Sequence, residues 1–200
     1  VQRLPLYLHC LDECDGDGRV SSSELAAQAG VNAAKVRKDL SYLGSYGVRG
    51  VGYEVEHLKF EIKRTLGLTQ VWRLAIVGIG NLGTALASYD GFRGQGFEIV
   101  GLFDIDEDRI GTRVMEQTVE PIRNLAAAVA ERLVDIAVIA TPRESAQEVA
   151  DVLAESGIKS ILNFAPIVVK LPDDVEVRRV DLSTELQVLS YHLHRSRLGV

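Results

Sequence analysis

Cysteine is scarce in this chain of 200 residues: Cys10 and Cys14 are the only two, and they are four apart rather than in a CxxC pair. Two cysteines cannot build a zinc site alone, and on a helix this pair shares one face. That spacing fits core packing first and a redox-active thiol second. No apolar run approaches the roughly 20 residues that cross a bilayer. The opening VQRLPLYLHC lacks the basic start and long apolar stretch of a signal peptide. The cytoplasm is therefore the expected compartment, with no membrane and no metal as partners. Internal repeats and low-complexity tracts are also absent. The net charge of −6 argues against a surface that binds nucleic acid all over.

The distribution of charge says more than its sum. Residues 1–69 hold nine Lys/Arg and nine Asp/Glu, so the remainder carries the whole −6. Within the neutral part, residues 31–53 contain Lys35, Arg37, Lys38 and Arg49 against Asp39 alone. A local positive patch on an acidic body directs DNA to one surface.

Around this patch the apolar spacing predicts helices. Leu4, Leu6, Leu8 and Leu11 suggest a first helix through about residue 13. Ser22 or Ser23 can cap a second over Glu24–Ala29, which Gly30 stops, and Asn32 caps a third from Ala33 to about Leu43. Val36, Leu40 and Leu43 recur at helical spacing and face a core. Lys35, Arg37, Lys38, Ser41 and Tyr42 lie mostly off that stripe, where they can meet phosphates and base edges. Two helices around a glycine corner form the helix-turn-helix pattern. The stretch Gly47–Tyr53, with its interleaved glycines, reads as a wing hairpin with Arg49 at its tip, suited to an adjacent minor groove. A solvated basic helix in a helical cap is the plainer alternative. A further helix over Val55–Leu66 leads to the domain boundary.

From Arg73 the pattern becomes strands alternating with helices. Arg73–Ile79, Phe97–Phe103, Val134–Ala140, Ser160–Asn163 and Val175–Val180 read as strands, with helices near 81–89, 121–132 and 143–155. Apolar strands with helical crossovers mean a parallel sheet covered on both faces. The first strand runs into Gly78-Ile79-Gly80-Asn81-Leu82-Gly83, the G-x-G-x-x-G turn, in the strand-to-helix context that the dinucleotide fingerprint requires. Gly78 allows the tight turn, Gly80 the approach of a pyrophosphate, and Gly83 close helix–strand packing. Asp104 closes the next strand, 26 residues after Gly78, where a carboxylate can accept from ribose hydroxyls and repel a 2′-phosphate. This favours NAD(H) over NADP(H); a domain that binds nothing, or another nucleotide such as CoA, stays open.

The expected class is thus α/β: a winged-helix (helix-turn-helix) DNA-binding domain over 1–69, a Rossmann-like parallel-sheet domain over 70–182, and a C-terminal helix over 183–200. In that helix Leu182, Leu186, Leu189 and Leu193 form a stripe that packs on its own domain or on a second subunit. An enzyme would need a proton donor and a substrate pocket. None of His9, His57, His192 and His194 sits beside a predicted nucleotide loop, nothing frames Lys159 or Lys170 as a site, and little chain remains for a substrate domain. A sensor fits better than an enzyme. The run from Glu13 to Glu24 nearly fits an EF-hand loop, but it begins with Glu, has no paired loop and has a short exit helix, so it reads as an acidic turn.

The string VRKDLSYLGSYGVRGVGY, followed by VGIGNLG, FDID and ILNFAP, resembles the Rex family of redox-sensing transcriptional repressors over essentially the whole chain. The resemblance implies homodimers on palindromic operators, released by NADH and opposed by NAD⁺, at genes of respiration and fermentation. It implies DNA contact by Arg37, Lys38 and Arg49, and cofactor contact by Gly78–Gly83 and Asp104. It also adds Tyr89 and Asp181 as positions near the nicotinamide and the dimer interface.

Overall fold

The computed structural model describes residues 2–13, 18–44 and 51–198. The chain divides into two compact units, residues 1–70 and 71–200.

The first unit is built on α1 (Leu4–Asp12), α2 (Ser22–Gln28), α3 (Ala33–Ser41) and α4 (Val55–Thr65). Helix α1 buries Leu4, Tyr7, Cys10 and Leu11. Leu6, expected in the stripe, is exposed instead, because the inward face runs through Tyr7. Cys10 packs in the core, whereas Cys14 lies outside the described residues. The cap of α2 is Ser21, not Ser22 or Ser23. Its hydroxyl accepts from Glu24 N at 3.1 Å and its own N–H donates to the Glu24 carboxylate at 2.7 Å. Only Ser21 stands three residues before a Glu, the spacing this reciprocal box needs. Gly30 turns the chain with φ +62°, and Asn32 caps α3 by accepting from Ala34 N at 2.7 Å. Helix α3 buries Val36 and Leu40 and ends two residues earlier than expected.

Short strands β1 (Arg19–Val20) and β2 (Tyr53–Glu54) pair antiparallel. The chain returning toward α4 thus meets the segment after α1, a partner the sequence did not suggest. Gly52 is needed there, since a Cβ on it would lie 2.5 Å from the Val20 carbonyl oxygen. The expected wing, with Arg49, falls mostly outside the described residues.

One polar clasp ties α3 to the start of the chain. Asp39, the only acid on α3, accepts from Arg3 at 2.7 and 2.8 Å and from the Tyr7 hydroxyl at 2.8 Å. Tyr7 is itself fully buried. These bonds, that of Arg3 first, hold the Asp39 carboxyl below the usual carboxylate range.

In the second unit the strands are β3 (Trp72–Val77), β4 (Phe97–Asp104), β5 (Arg113–Val114), β6 (Gln117–Pro121), β7 (Ile136–Ile139), β8 (Ser160–Asn163) and β9 (Glu176–Arg179). They form one sheet in the order β5-β6-β4-β3-β7-β8-β9. Apart from the antiparallel β5–β6 hairpin, which the sequence reading missed, neighbours run parallel. From β6 to β9 this is the doubly wound order in which the chain reverses direction beside β3.

The helices are α5 (Asn81–Ala87), α6 (Gly91–Gly94), α7 (Leu125–Arg132), α8 (Ala146–Glu155) and α9 (Leu182–Leu198). Alternation along the strands separates two faces. Ala75, Val77, Ala137 and Ile139 pack with residues of α7 and α8, while Leu74, Ile76 and Val138 share a cluster with Leu86 and Ala87 of α5. The second face is only partly covered. An apolar groove of about 300 Å³ remains on it, lined by Leu74, Phe97, Ile136, Val138 and Leu162 among others. Helix α9 is exposed from Leu182 to Arg197, apolar stripe included.

Because the native Asp39 carboxyl titrates low, its contribution is complete above the unfolded value near ~4 and is lost as pH falls through the depressed native value. Thermal melts should show the first unit keeping this contribution from pH 7 down to about 4 and losing it as the pH falls further. Asp39→Asn should reduce that acid-induced loss, and Tyr7→Phe should cost about 0.5–1.5 kcal/mol at pH 7.

Candidate functional site

Two surfaces carry chemistry, one on each unit. On the first, Lys35, Arg37, Lys38 and Ser41 are exposed on α3, and Tyr42 at its C-cap is 78% exposed. Burial of Val36 and Leu40 is what turns these side chains outward. Arg37 donates from Nη1 to the Ser22 hydroxyl at 3.1 Å, which links the exposed face of α3 to the start of α2. Ser41 donates back to the Lys38 carbonyl at 2.8 Å and keeps its lone pairs for another donor. With Asp39 held by Arg3 and Tyr7, the outer face of α3 is positive. Phosphate and base-edge acceptors are the chemistry that such a face recognises.

On the second unit a cleft of about 420 Å³ opens at the carboxyl ends of β3, β4 and β7. The chain's reversal beside β3 puts this crevice at the topological switch point, where open α/β sheets bind ligands. Gly78, Gly80, Asn81, Leu82 and Asp104 line it, together with Ile105, Asp106, Arg109, Thr141 and Ser145. Ile79 is only 2% exposed and contributes backbone groups. Its N–H donates to Asp104 Oδ2 at 2.6 Å, and its carbonyl accepts from the Arg109 guanidinium and from Thr84 Oγ1 at 3.4 Å. A smaller cavity of about 190 Å³ shares Ile105, Ile122, Ser145 and Val149 with the cleft.

The three fingerprint glycines have different causes. Gly78 has φ +93°, and a Cβ on it would meet Thr141 Cγ2 at 2.7 Å and Ala140 backbone atoms at 2.8 Å. A Cβ on Gly83 would lie 1.9 Å from the Gly78 carbonyl oxygen. Gly80 has an ordinary extended backbone and nothing within 4 Å of such an atom. The protein's own packing requires the first two. The room above Gly80 is what a backbone-hugging ligand needs. A second sign points the same way: Thr141 Oγ1 is buried without a hydrogen-bond partner, an arrangement that costs about 1–3 kcal/mol. Both features fit a dinucleotide.

Asp104, expected to accept from ribose hydroxyls and repel a 2′-phosphate, also has a structural role. It is only 8% exposed, and it accepts from three backbone amides, of Ile79, Ile105 (2.7 Å) and Asp106 (3.0 Å). A carboxylate offers about four lone-pair sites, so one remains for the cleft. Asp106, which pairs with Arg109 at 3.4 Å, is the more exposed acid beside it. The sequence reading did not single out Asp106, Arg109, Thr141 or Ser145. The FDID string put Asp106 in view, but only tertiary structure brings the others to this wall.

Tyr89 and Asp181 do not line the cleft. Tyr89 is 57% exposed, stacks edge-on against Phe92 at 5.1 Å and borders a separate small pocket with Met115 and Gln117. Asp181 precedes α9, where Ser183 donates to it through N–H (3.0 Å) and hydroxyl (2.6 Å), and Arg179 pairs with it. These groups, Ser183 first, hold its carboxyl down to about 2. No group of three or more potential metal ligands occurs among the described residues, and none of their helices is long and apolar enough to cross a membrane.

Gly83→Ala should destabilise the second unit by about 1–3 kcal/mol, the usual cost of overpacking. Gly80→Ala should stay within ~0.5 kcal/mol of the parent, as at an unpacked surface position. Denaturant midpoints would check both values.

Both parts of the chain match known proteins. Residues 69–167 match the family model "CoA binding domain", and residues 1–41 match "Putative DNA-binding protein N-terminus". The chain is 53% identical over 197 residues to the redox-sensing transcriptional repressor Rex of Streptomyces griseus subsp. griseus, which covers 98% of this chain and 78% of that protein. It is 47% identical over 199 residues to the protein of the same name from Chloroflexus aggregans, covering 98% and 94%. Among solved structures it is similar to RSP in complex with beta-NAD⁺ and operator DNA, at TM-score 0.91 and 38% identity over 99% of this chain and 92% of that one. The complex of RSP with beta-NADH gives 0.90 and 37%, over 99% and 94%.

Proposed function

Because the chain belongs to the Rex family of redox-sensing transcriptional repressors, we propose that it holds operator DNA with the outer face of α3 and lets go when NADH fills the switch-point cleft. The observation that carries this reading is the pairing of two surfaces in one chain: a helix face cleared of negative charge, and a glycine turn with open room above Gly80. Lys35, Arg37, Lys38, Ser41, Tyr42 and Arg49 are the DNA-contacting residues. Gly78 to Gly83 and Asp104 hold the cofactor, and Asp106 helps Asp104 to exclude a 2′-phosphate.

The cleft serves as a sensor and not as an active site. Among the described residues, its lining has no His, Lys, Tyr or Cys to exchange a proton with a hydride acceptor. The bound cofactor supplies the signal through its redox state. NAD⁺ and NADH share their phosphates and riboses, so only contacts at the nicotinamide end can favour one over the other. Each tenfold preference there requires about 1.4 kcal/mol. A neutral reduced ring suits apolar surroundings. A carboxylate that stays ionised, as Asp181 does, favours the cationic oxidised ring.

Tyr89 and Asp181 reach that ring across a homodimer. Helix α9 has an unpartnered apolar stripe and the sheet has an apolar groove, and a second subunit satisfies both. A twofold pair also sets two α3 helices at the spacing of a palindromic site. The protein therefore acts in the cytoplasm, where its DNA and nucleotide are. The family model named for CoA favours a second occupant of the cleft, and titration of CoA against NADH separates the two.

Gel shifts on a palindromic operator should show release by micromolar NADH and its reversal by NAD⁺. Tight binding that ignores both nucleotides would sink the redox reading. Arg37→Ala should abolish the shift and keep NADH affinity within a few-fold; joint loss of both would mean misfolding. Gly80→Val should give a repressor that NADH no longer releases.

A further inference from the structure

Thr141 Oγ1 is the buried side-chain polar atom that, among the described residues, lacks a hydrogen-bond partner. Its residue lines the cleft. Neighbouring hydroxyls find acceptors in nearby carbonyls: Thr84 in Ile79 and Ser145 in Pro142. Thr141 stands between the end of β7 and Pro142, whose ring nitrogen has no proton to offer. At a purely structural position valine would fill the same volume without leaving a hydroxyl unpaired.

The location says what the hydroxyl is for. The Ala140 N–H donates to the Val77 carbonyl at 2.8 Å, which sets Thr141 directly opposite the glycine turn. Its methyl carbon lies 2.7 Å from where a Gly78 Cβ would be. This is the middle of the crevice between β3 and β7, level with the turn whose backbone approaches phosphate. Thr141 is only partly buried as a residue, and one staggered step about χ1 exchanges its hydroxyl with a neighbouring substituent position. The side chain can thus present its O–H to the cleft without movement of the backbone.

We infer that Thr141 is a cofactor-binding residue, whose hydroxyl donates to a phosphate or ribose oxygen in the part of the dinucleotide that NADH and NAD⁺ share. This rests on reading the cleft as an NAD(H) site and adds a contact that the fingerprint does not contain. Because the contact is to the shared part, it sets affinity and leaves the choice between redox states alone.

The test is Thr141→Val, measured by calorimetric titration with NADH and with NAD⁺ and by melting without nucleotide. Thr141→Ser serves as the conservative control. The valine variant should lose about tenfold in affinity for both nucleotides, equivalent to ~1.4 kcal/mol, and keep their ratio. Its melting temperature without nucleotide should hold or rise, and Ser should restore binding to within a few-fold. Unchanged affinities would overturn the inference, as would a loss confined to one redox state. A lower melting temperature accompanying the loss would assign Thr141 to packing instead. If the parent protein binds neither nucleotide, the reading of the cleft fails before the variants are compared.

Discussion

The shape of the cleft depends on the carboxylate of Asp104. It receives the amides of Ile79, Ile105 and Asp106 and so fastens the glycine turn to the end of the neighbouring strand. Hydrogen bonds to an ionised group contribute about 1.5–3 kcal/mol each, enough to hold a turn that has few side chains of its own. Arg109 completes the arrangement by donating to the Ile79 carbonyl. With the turn fixed, Gly83 can press against the Gly78 carbonyl and α5 can start where it does. The open space above Gly80 is a by-product of that rigidity.

The first unit uses a carboxylate in a comparable way. Asp39 is turned toward α1, where Arg3 and buried Tyr7 bind it. The bond that orients α3 therefore also removes the negative charge from its outer face. In each unit a carboxylate positions the element that forms the candidate surface.

Much of this was legible in the sequence, and the exceptions have physical causes. The glycine turn could be read because its conformation is dictated locally, and α3 because Asn32, Val36 and Leu40 agree on one helix. Strand β1 has two residues and exists only through its pairing with β2, so no local pattern announces it. The β5–β6 hairpin is similarly short, and its turn places Met115 at φ +54°, a conformation that a methionine does not signal. The cap at Ser21 was readable from its spacing to Glu24, but two further serines obscured it. Arg109 reaches the cleft from the segment after β4, and Thr141 and Ser145 from the loop between β7 and α8, a convergence that sheet order creates. Tyr89 and Asp181, picked out by family resemblance, lie away from the cleft of this chain, which no local pattern could have told.

The sparse charge on α3 has a consequence for how the protein responds to its surroundings. Binding to DNA expels condensed counterions, and each phosphate neutralised adds about 0.9 to the logarithmic dependence of affinity on salt. Lys35, Arg37 and Lys38 are cations on the exposed face of α3, and three phosphate contacts of this kind would give a slope of about 2.7 for each copy of α3 on DNA. A fourfold rise in salt then weakens grip by roughly 40-fold for each such copy. Ionic drift would thus change occupancy as well, so a redox response is read cleanly only at constant ionic strength.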